Sequence, residues 1–216
     1  MKIFKKWWFW VIAIIVIIVV IPKDNSSTKD TTTDNVATSA ANATQKVADE
    51  ITERVAEEID TTPWIKAGMY KAGTDIQAGE YVIYAESMAY YQVSNDSTGS
   101  LDSIVSNDNF SGNRYITVTD GQYIEITNAK MLTVDDAKPI EPADGKYADG
   151  MYKVGRDIKA GEYKVVPTGT AYVEVANDST GTLDGIVTND NIEAEKYITV
   201  ADGQYLKLVS CYIAID

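Results

Sequence analysis

Three aspartates recur at matching places in two halves of the chain: Asp96, Asp102 and Asp108, then Asp178, Asp184 and Asp190. With Asn95, Asn107 and Asn109 beside the first set, they offer the hard oxygen ligands that Ca²⁺ takes. The Asp-x-Asp-x-Asp-Gly order of an EF-hand loop is not met, and Asn and Asp are also the residues that turns require. A Ca²⁺ site therefore competes with a plainer reading as turn residues and solvated charge, and the plainer reading is favoured. Six tyrosines recur in the same way, Tyr90, Tyr115 and Tyr123 with Tyr172, Tyr197 and Tyr205. Facing outward together, they would form an aromatic binding platform suited to sugars or peptide groups. Tyrosine is equally a good residue for a half-buried strand, and that is the favoured reading.

Other chemistry is thinly provided for. The chain has no histidine, so the usual physiological general base and the commonest metal ligand are both missing. Serine and threonine hydroxyls then lack an activating base, and Cys211 aligns with Ala129, so the one cysteine occurs in one copy only and builds no disulfide framework. A carboxylate pair such as Asp96 and Asp102 serves glycoside hydrolysis only at a separation that spacing along the chain does not define. The expectation is a protein that is not an enzyme and has no resident cofactor. With 19 basic residues against 32 acidic ones and a net charge of −13, nucleic acid is a poor partner. Anionic envelope polymers are repelled as well unless divalent cations bridge them.

The elements that must carry these residues are organised by a duplication. Residues 68–134 are written out again at 150–216 without a gap, so that Gly68-Met-Tyr-Lys71 returns as Gly150-Met-Tyr-Lys153. Ahead of the copies, Lys2, Lys5 and Lys6 precede an unbroken apolar run from Trp7 to Ile21 that Pro22 closes. Residues 1–22 read as an uncleaved transmembrane signal anchor, in which residues 3–21 span the bilayer if Lys5 and Lys6 snorkel. The lysines place the N-terminus in the cytoplasm and everything after Pro22 outside. A cleaved signal peptide would need a small-x-small site just beyond Ile21, and there is none. Residues 23–41 are a Ser/Thr/Asn/Asp-rich spacer expected to be disordered. Val47, Ile51, Val55 and Ile59 then fall at i+4 intervals, predicting one short amphipathic helix within 42–62.

Each copy reads as all-β, a small sandwich or barrel, giving module one at 63–134, a linker at 135–149 and module two at 150–216. Strands are expected at 69–72, 80–85, 89–94, 104–106, 114–119, 122–127 and 131–134. A three-residue loop at Thr119–Gly121 would make a hairpin pairing Ile116 with Ile124 and would bury Val118 and Ile126 beside them. The same alternation buries Tyr81, Ile83, Tyr91 and Val93, with Tyr163, Val165, Val173, Val175, Ile198, Val200, Leu206 and Leu208 in the second copy. It turns Tyr90, Tyr172, Tyr197 and Tyr205 outward.

The segments Met69-Tyr-Lys-Ala-Gly-Thr-Asp-Ile-Gln-Ala-Gly-Glu-Tyr81 and Met151-Tyr-Lys-Val-Gly-Arg-Asp-Ile-Lys-Ala-Gly-Glu-Tyr163, each followed by Asp-Gly-Gln-Tyr, resemble a repeat of uncharacterised envelope proteins of Gram-positive bacteria. Some of these carry a similar Lys-Lys-Trp-Trp-Phe-Trp anchor, here Lys5–Trp10. The resemblance implies an extracytoplasmic β-module at the cell membrane and transfers no binding residues. The expectation is a single-pass membrane protein presenting two modules to an envelope polymer or protein partner. Its alternative is a structural or assembly subunit of a membrane complex.

Overall fold

The computed structural model describes residues 61–215, which are all-β and antiparallel. The expected anchor 1–22, the spacer 23–41 and all but the last residues of the helix 42–62 lie outside the described residues. Among the described residues no helix is long and apolar enough to cross a membrane.

Module one contains β1 (Gly68–Lys71), β2 (Gly79–Ser94), β3 (Ile104–Phe110), β4 (Asn113–Val118) and β5 (Tyr123–Thr133). β6 (Lys146–Tyr147) lies in the linker, and module two contains β7 (Gly150–Lys153), β8 (Gly161–Ala176), β9 (Ile186–Ile192), β10 (Lys196–Val200) and β11 (Tyr205–Ala214). Seven short candidates in the first copy become five strands, because 80–85 and 89–94 fuse into β2 while 122–127 and 131–134 fuse into β5. β2 is the spine of its sheet: its first half pairs with β4, its second half with β3, and β5 runs along its other edge.

A long strand burying one face at both ends must bend. β5 does so at Asn128, whose φ of +53° inserts an extra residue where the β2–β5 register shifts. The insertion flips the alternation, so Ile124 and Ile126 point inward before the bend, and Ala129 and Met131 after it. Ser210, with φ +54°, does the same in β11, switching from Leu206 and Leu208 to Cys211 and Ile213. Both halves of each sheet thus close on one sandwich-like core.

This bend also corrects the expected hairpin. β4 pairs with β2, and β5 pairs with β1 and β2, so Ile116 faces Tyr81 while Ile124 faces Tyr70 and Val93. The turn at 119–122 does form, closed by the Gln122 amide donating to the Thr119 carbonyl at 3.1 Å with Gly121 at φ +87°. It carries the chain from one half of the sheet to the other. Ile116, Val118, Ile124 and Ile126 are nevertheless all buried in one cluster, because alternation fixes which face is inward whichever strand is the neighbour. The other inward residues are buried as expected, Tyr163 only partly.

The modules are joined. A third apolar cluster contains Val82, Tyr115 and Leu132 of module one, Ala137 of the linker, and Met151 and Tyr205 of module two. Residues 61–216 accordingly form one compact unit. The linker is part of it, with β6 pairing to β11 and the Tyr147 hydroxyl donating to the Asp157 carbonyl at 2.7 Å.

Candidate functional site: the seam between the modules and an adjoining cleft

Two polar networks flank the apolar centre of the seam. In the first, Glu80 at the start of β2 receives the Lys153 ammonium on Oε2 at 2.6 Å, and the Ser179 hydroxyl at 2.7 Å and the Tyr205 hydroxyl on Oε1. Burial would raise the Glu80 carboxyl, but these three donors outweigh it and hold the group below the usual glutamate range. The Thr117 amide donates to the Ser179 carbonyl at 2.8 Å and locks the 177–182 loop to β4.

In the second network, the Arg156 guanidinium donates to the Tyr115 hydroxyl at 2.5 Å and to the carbonyls of Val134 and Ala137 at 3.1 and 2.6 Å. Tyr115 in turn donates to Asp157 Oδ2 at 2.6 Å, while the Ile140 and Lys153 amides donate to the same carboxylate at 2.9 and 2.8 Å. Burial, then the Asp157 carboxylate, push the Tyr115 phenol well above its ordinary value. At the far side of the seam Asp108 binds both Arg114, at 2.8 Å, and Lys207 of module two, at 2.9 Å.

The six tyrosines do not gather into one outward platform. Tyr115 is 1% exposed and Tyr205 5%, their ring centroids 5.5 Å apart in the seam, so both are corrected from outward to buried. Tyr115 does point away from the core of its own module, but the outer face of β4 meets the other module rather than water. Tyr90 and Tyr172 are half-buried, their hydroxyls donating to Gln92 at 2.9 Å and Glu174 at 2.5 Å. Burial, then Glu174, push the Tyr172 phenol up to about 12. Tyr123 lies under the Lys71 ammonium at 5.4 Å, and Tyr197 alone is fully displayed, at 63% exposure.

The six aspartates are not brought together either. Asp96 and Asp178 each accept from the amide and hydroxyl of the threonine two residues on, at 2.9 and 2.6 Å, which is the turn-forming role. Asp190 pairs with Lys196 at 2.6 Å, Asp108 belongs to the seam, and Asp102 and Asp184 are exposed in short 3-10 turns. Among the described residues no three Asp, Glu, His or Cys side chains gather for a metal ion.

A concave surface that the sequence did not point to opens where the linker leaves module one. A cleft of about 470 Å³ has an apolar floor of Trp64, Tyr84, Leu132 and Ile140, with Asp136, Lys138 and Glu141 at its rim. Trp64 meets Tyr84 edge to face at 5.5 Å, and the Lys130 ammonium lies 4.1 Å from its ring centre. Two neighbouring hollows of about 470 and 560 Å³ share Gln77, Tyr81, Thr133 and Asp136. Aromatic rings beside carboxylates suit a neutral, hydroxyl- or amide-rich ligand, which presents an apolar face to the rings and donors to the acids.

Glu80, Lys153, Arg156 and Asp157 escaped the sequence reading because each looks like ordinary surface charge. Only Arg156 stands where the matching copies differ in kind, opposite Thr74, as Val82 does opposite Lys164 and Glu125 opposite Lys207; Glu80, Lys153 and Asp157 match Glu162, Lys71 and Asp75 and carry no such signal. Compared with known proteins, the chain matches no family model and no curated sequence.

Proposed function

We propose that the chain is a non-enzymatic, single-pass membrane protein that holds its double module outside the membrane to bind an envelope polymer or a protein partner, with the Trp64–Tyr84 cleft as contact surface. The observation that carries this reading is the joining of both copies into one unit whose seam consumes Tyr115 and Tyr205 while an aromatic-floored cleft stays open beside it. The acidic balance of the chain favours a neutral glycan or a peptide over an anionic polymer. The apolar run at residues 7–21 supplies the anchor.

Trp64 is the sole tryptophan of residues 61–216, so its fluorescence reports on the cleft. Titrating that unit with neutral oligosaccharides, cell-wall glycan fragments and wall peptides is expected to shift the emission saturably with one class, and Tyr84→Ala is expected to weaken that response. Silence with all three, together with a co-purifying membrane protein that is lost on deleting 43–60, would favour the assembly-subunit reading.

A further inference from the structure

The seam is heterologous. Module one contributes the face carrying Glu80, Val82, Asn113 and Tyr115, and module two a different face carrying Met151, Lys153, Arg156 and Tyr205. Call these the donor-accepting face and the cationic face. Each module possesses both surfaces by duplication, so one of each is left over: the first kind on module two, the second on module one. A head-to-tail contact of this type propagates into a ring or filament whenever the leftover faces match. Part of the match persists, since Glu162, Tyr197, Lys71 and Tyr123 occupy the places of Glu80, Tyr115, Lys153 and Tyr205, and Met69 and Tyr197 stand 45% and 63% exposed.

The remaining positions are changed in one direction. On module two, Val82 of the apolar cluster is replaced by Lys164 and Asn113 by Glu195, and these two form an ion pair at 2.7 Å across the face. Asn113 donates to the Met151 carbonyl at 2.5 Å in the seam, whereas a glutamate carboxylate at that place has no proton to give. Gly112 leaves room for module two, since a Cβ there would fall 2.0 Å from the Asp149 carbonyl oxygen, and its counterpart is Ala194. On module one, Arg156 is replaced by Thr74, and Lys207, the partner of Asp108, by Glu125, which would meet Asp190 as a like charge. Burying a solvated ion pair against an apolar cluster costs desolvation, and two opposed carboxylates repel, so both changes disfavour association.

We infer that the two leftover faces are closed against another molecule of this chain by Lys164 and Glu195 on module two and by Thr74 and Glu125 on module one, so that the module contact is made once, within each chain, and does not propagate.

The test uses the full chain in detergent, with Cys211 replaced by the alanine its counterpart carries. Ser97 and Thr199 are changed to cysteine, because their counterparts Ser179 and Thr117 touch in the seam, hydroxyl to hydroxyl at 2.8 Å. Oxidation is expected to leave this protein a monomer on a non-reducing gel. Adding Lys164→Val, Glu195→Asn, Thr74→Arg and Glu125→Lys, together with Ala194→Gly to remove the obstructing Cβ, is expected to produce a ladder of cross-linked multimers, and Glu162→Lys on top of these to abolish it. A ladder already present without these added changes, or none after them in a protein that still melts cooperatively, would overturn the inference. If the combined variant does not fold, changing one face in each of two separate proteins and mixing them asks the same question: a cross-linked heterodimer supports the inference, and its absence from two folded partners overturns it.

Discussion

Replacing Arg156 by threonine, the residue module one carries at that place, separates the seam from the module fold. Thr74 sits in the same turn of module one, where Asp75 accepts from the Lys71 amide at 2.8 Å much as Asp157 accepts from Lys153. The turn therefore tolerates threonine, and what is lost belongs to the contact between modules. The guanidinium makes four hydrogen bonds, three at 2.5, 2.6 and 3.1 Å and a fourth at 3.3 Å to an Asp157 carboxylate that is completely covered. Removing one partner of a buried ion pair costs about 3–5 kcal/mol. The Arg156 side chain is 18% exposed, so water can reach part of the gap, and the Tyr115 and amide donors still hold Asp157, which brings the expectation to about 2–4 kcal/mol. For a unit of this size that corresponds to a melting temperature lower by roughly 5–15 °C. Urea unfolding of 61–216, followed by Trp64 emission for module one and by tyrosine circular dichroism for both modules, is expected to show the loss and a separation of the two transitions. A change below about 0.5 kcal/mol, the level of an ordinary surface substitution, would refute the claim that this network joins the modules.

Tyr115→Ser is expected to cost about 3–5 kcal/mol, as truncation of a buried aromatic does, whereas Tyr197→Ser at the matching exposed place stays within about 0.5 kcal/mol; chemical denaturation compares them directly. Glu80 has a carboxyl held below its unfolded value, so its contribution is complete above that value and disappears as pH falls through the folded one. The stability gap between wild type and Glu80→Gln is accordingly expected to narrow below about pH 4. Millimolar Ca²⁺ is expected to leave the melting temperature unchanged within about 1 °C, because a bound ion would raise it by mass action; a chelator-reversible rise lost in Asp96→Asn with Asp178→Asn would restore the cation reading. Protease added to cells stripped of their wall is expected to cut within 23–41 and release the modules, and protection of that segment would reverse the assigned topology.

Alternation and turn chemistry made much of the fold legible. Tyr81, Ile83, Val93, Ile198 and Leu206 are buried on the face that alternation indicates, because a strand's side-chain period of two is a local property. Strand partnership is not local: the fusion of 80–85 with 89–94 and the Asn128 bend depend on which strands lie opposite, and the supposed hairpin failed there. The site was less legible still. Tyr115 and Tyr205 do face away from their own module cores, as alternation says, but whether that means water or a neighbouring module is decided by residues far apart in sequence. Trp64 and Tyr84 gave no periodic signal because the cleft draws on an entry segment, a strand and the linker.

Three groups where module one runs into the linker act in the seam through the main chain: the carbonyls of Val134 and Ala137 on Arg156, and the amide of Ile140 on Asp157. Such atoms are the same whatever side chain they carry. Between Val134 and Ile140 the chain is therefore constrained in length far more than in composition: many substitutions leave the hydrogen bonds in place, whereas inserting or deleting one residue shifts every later peptide group by about 3.3 Å and pulls at least one of them out of reach. The connector is thus held by its spacing, with Ala137 in the apolar cluster and Ile140 in the cleft floor as the side chains that must fit as well.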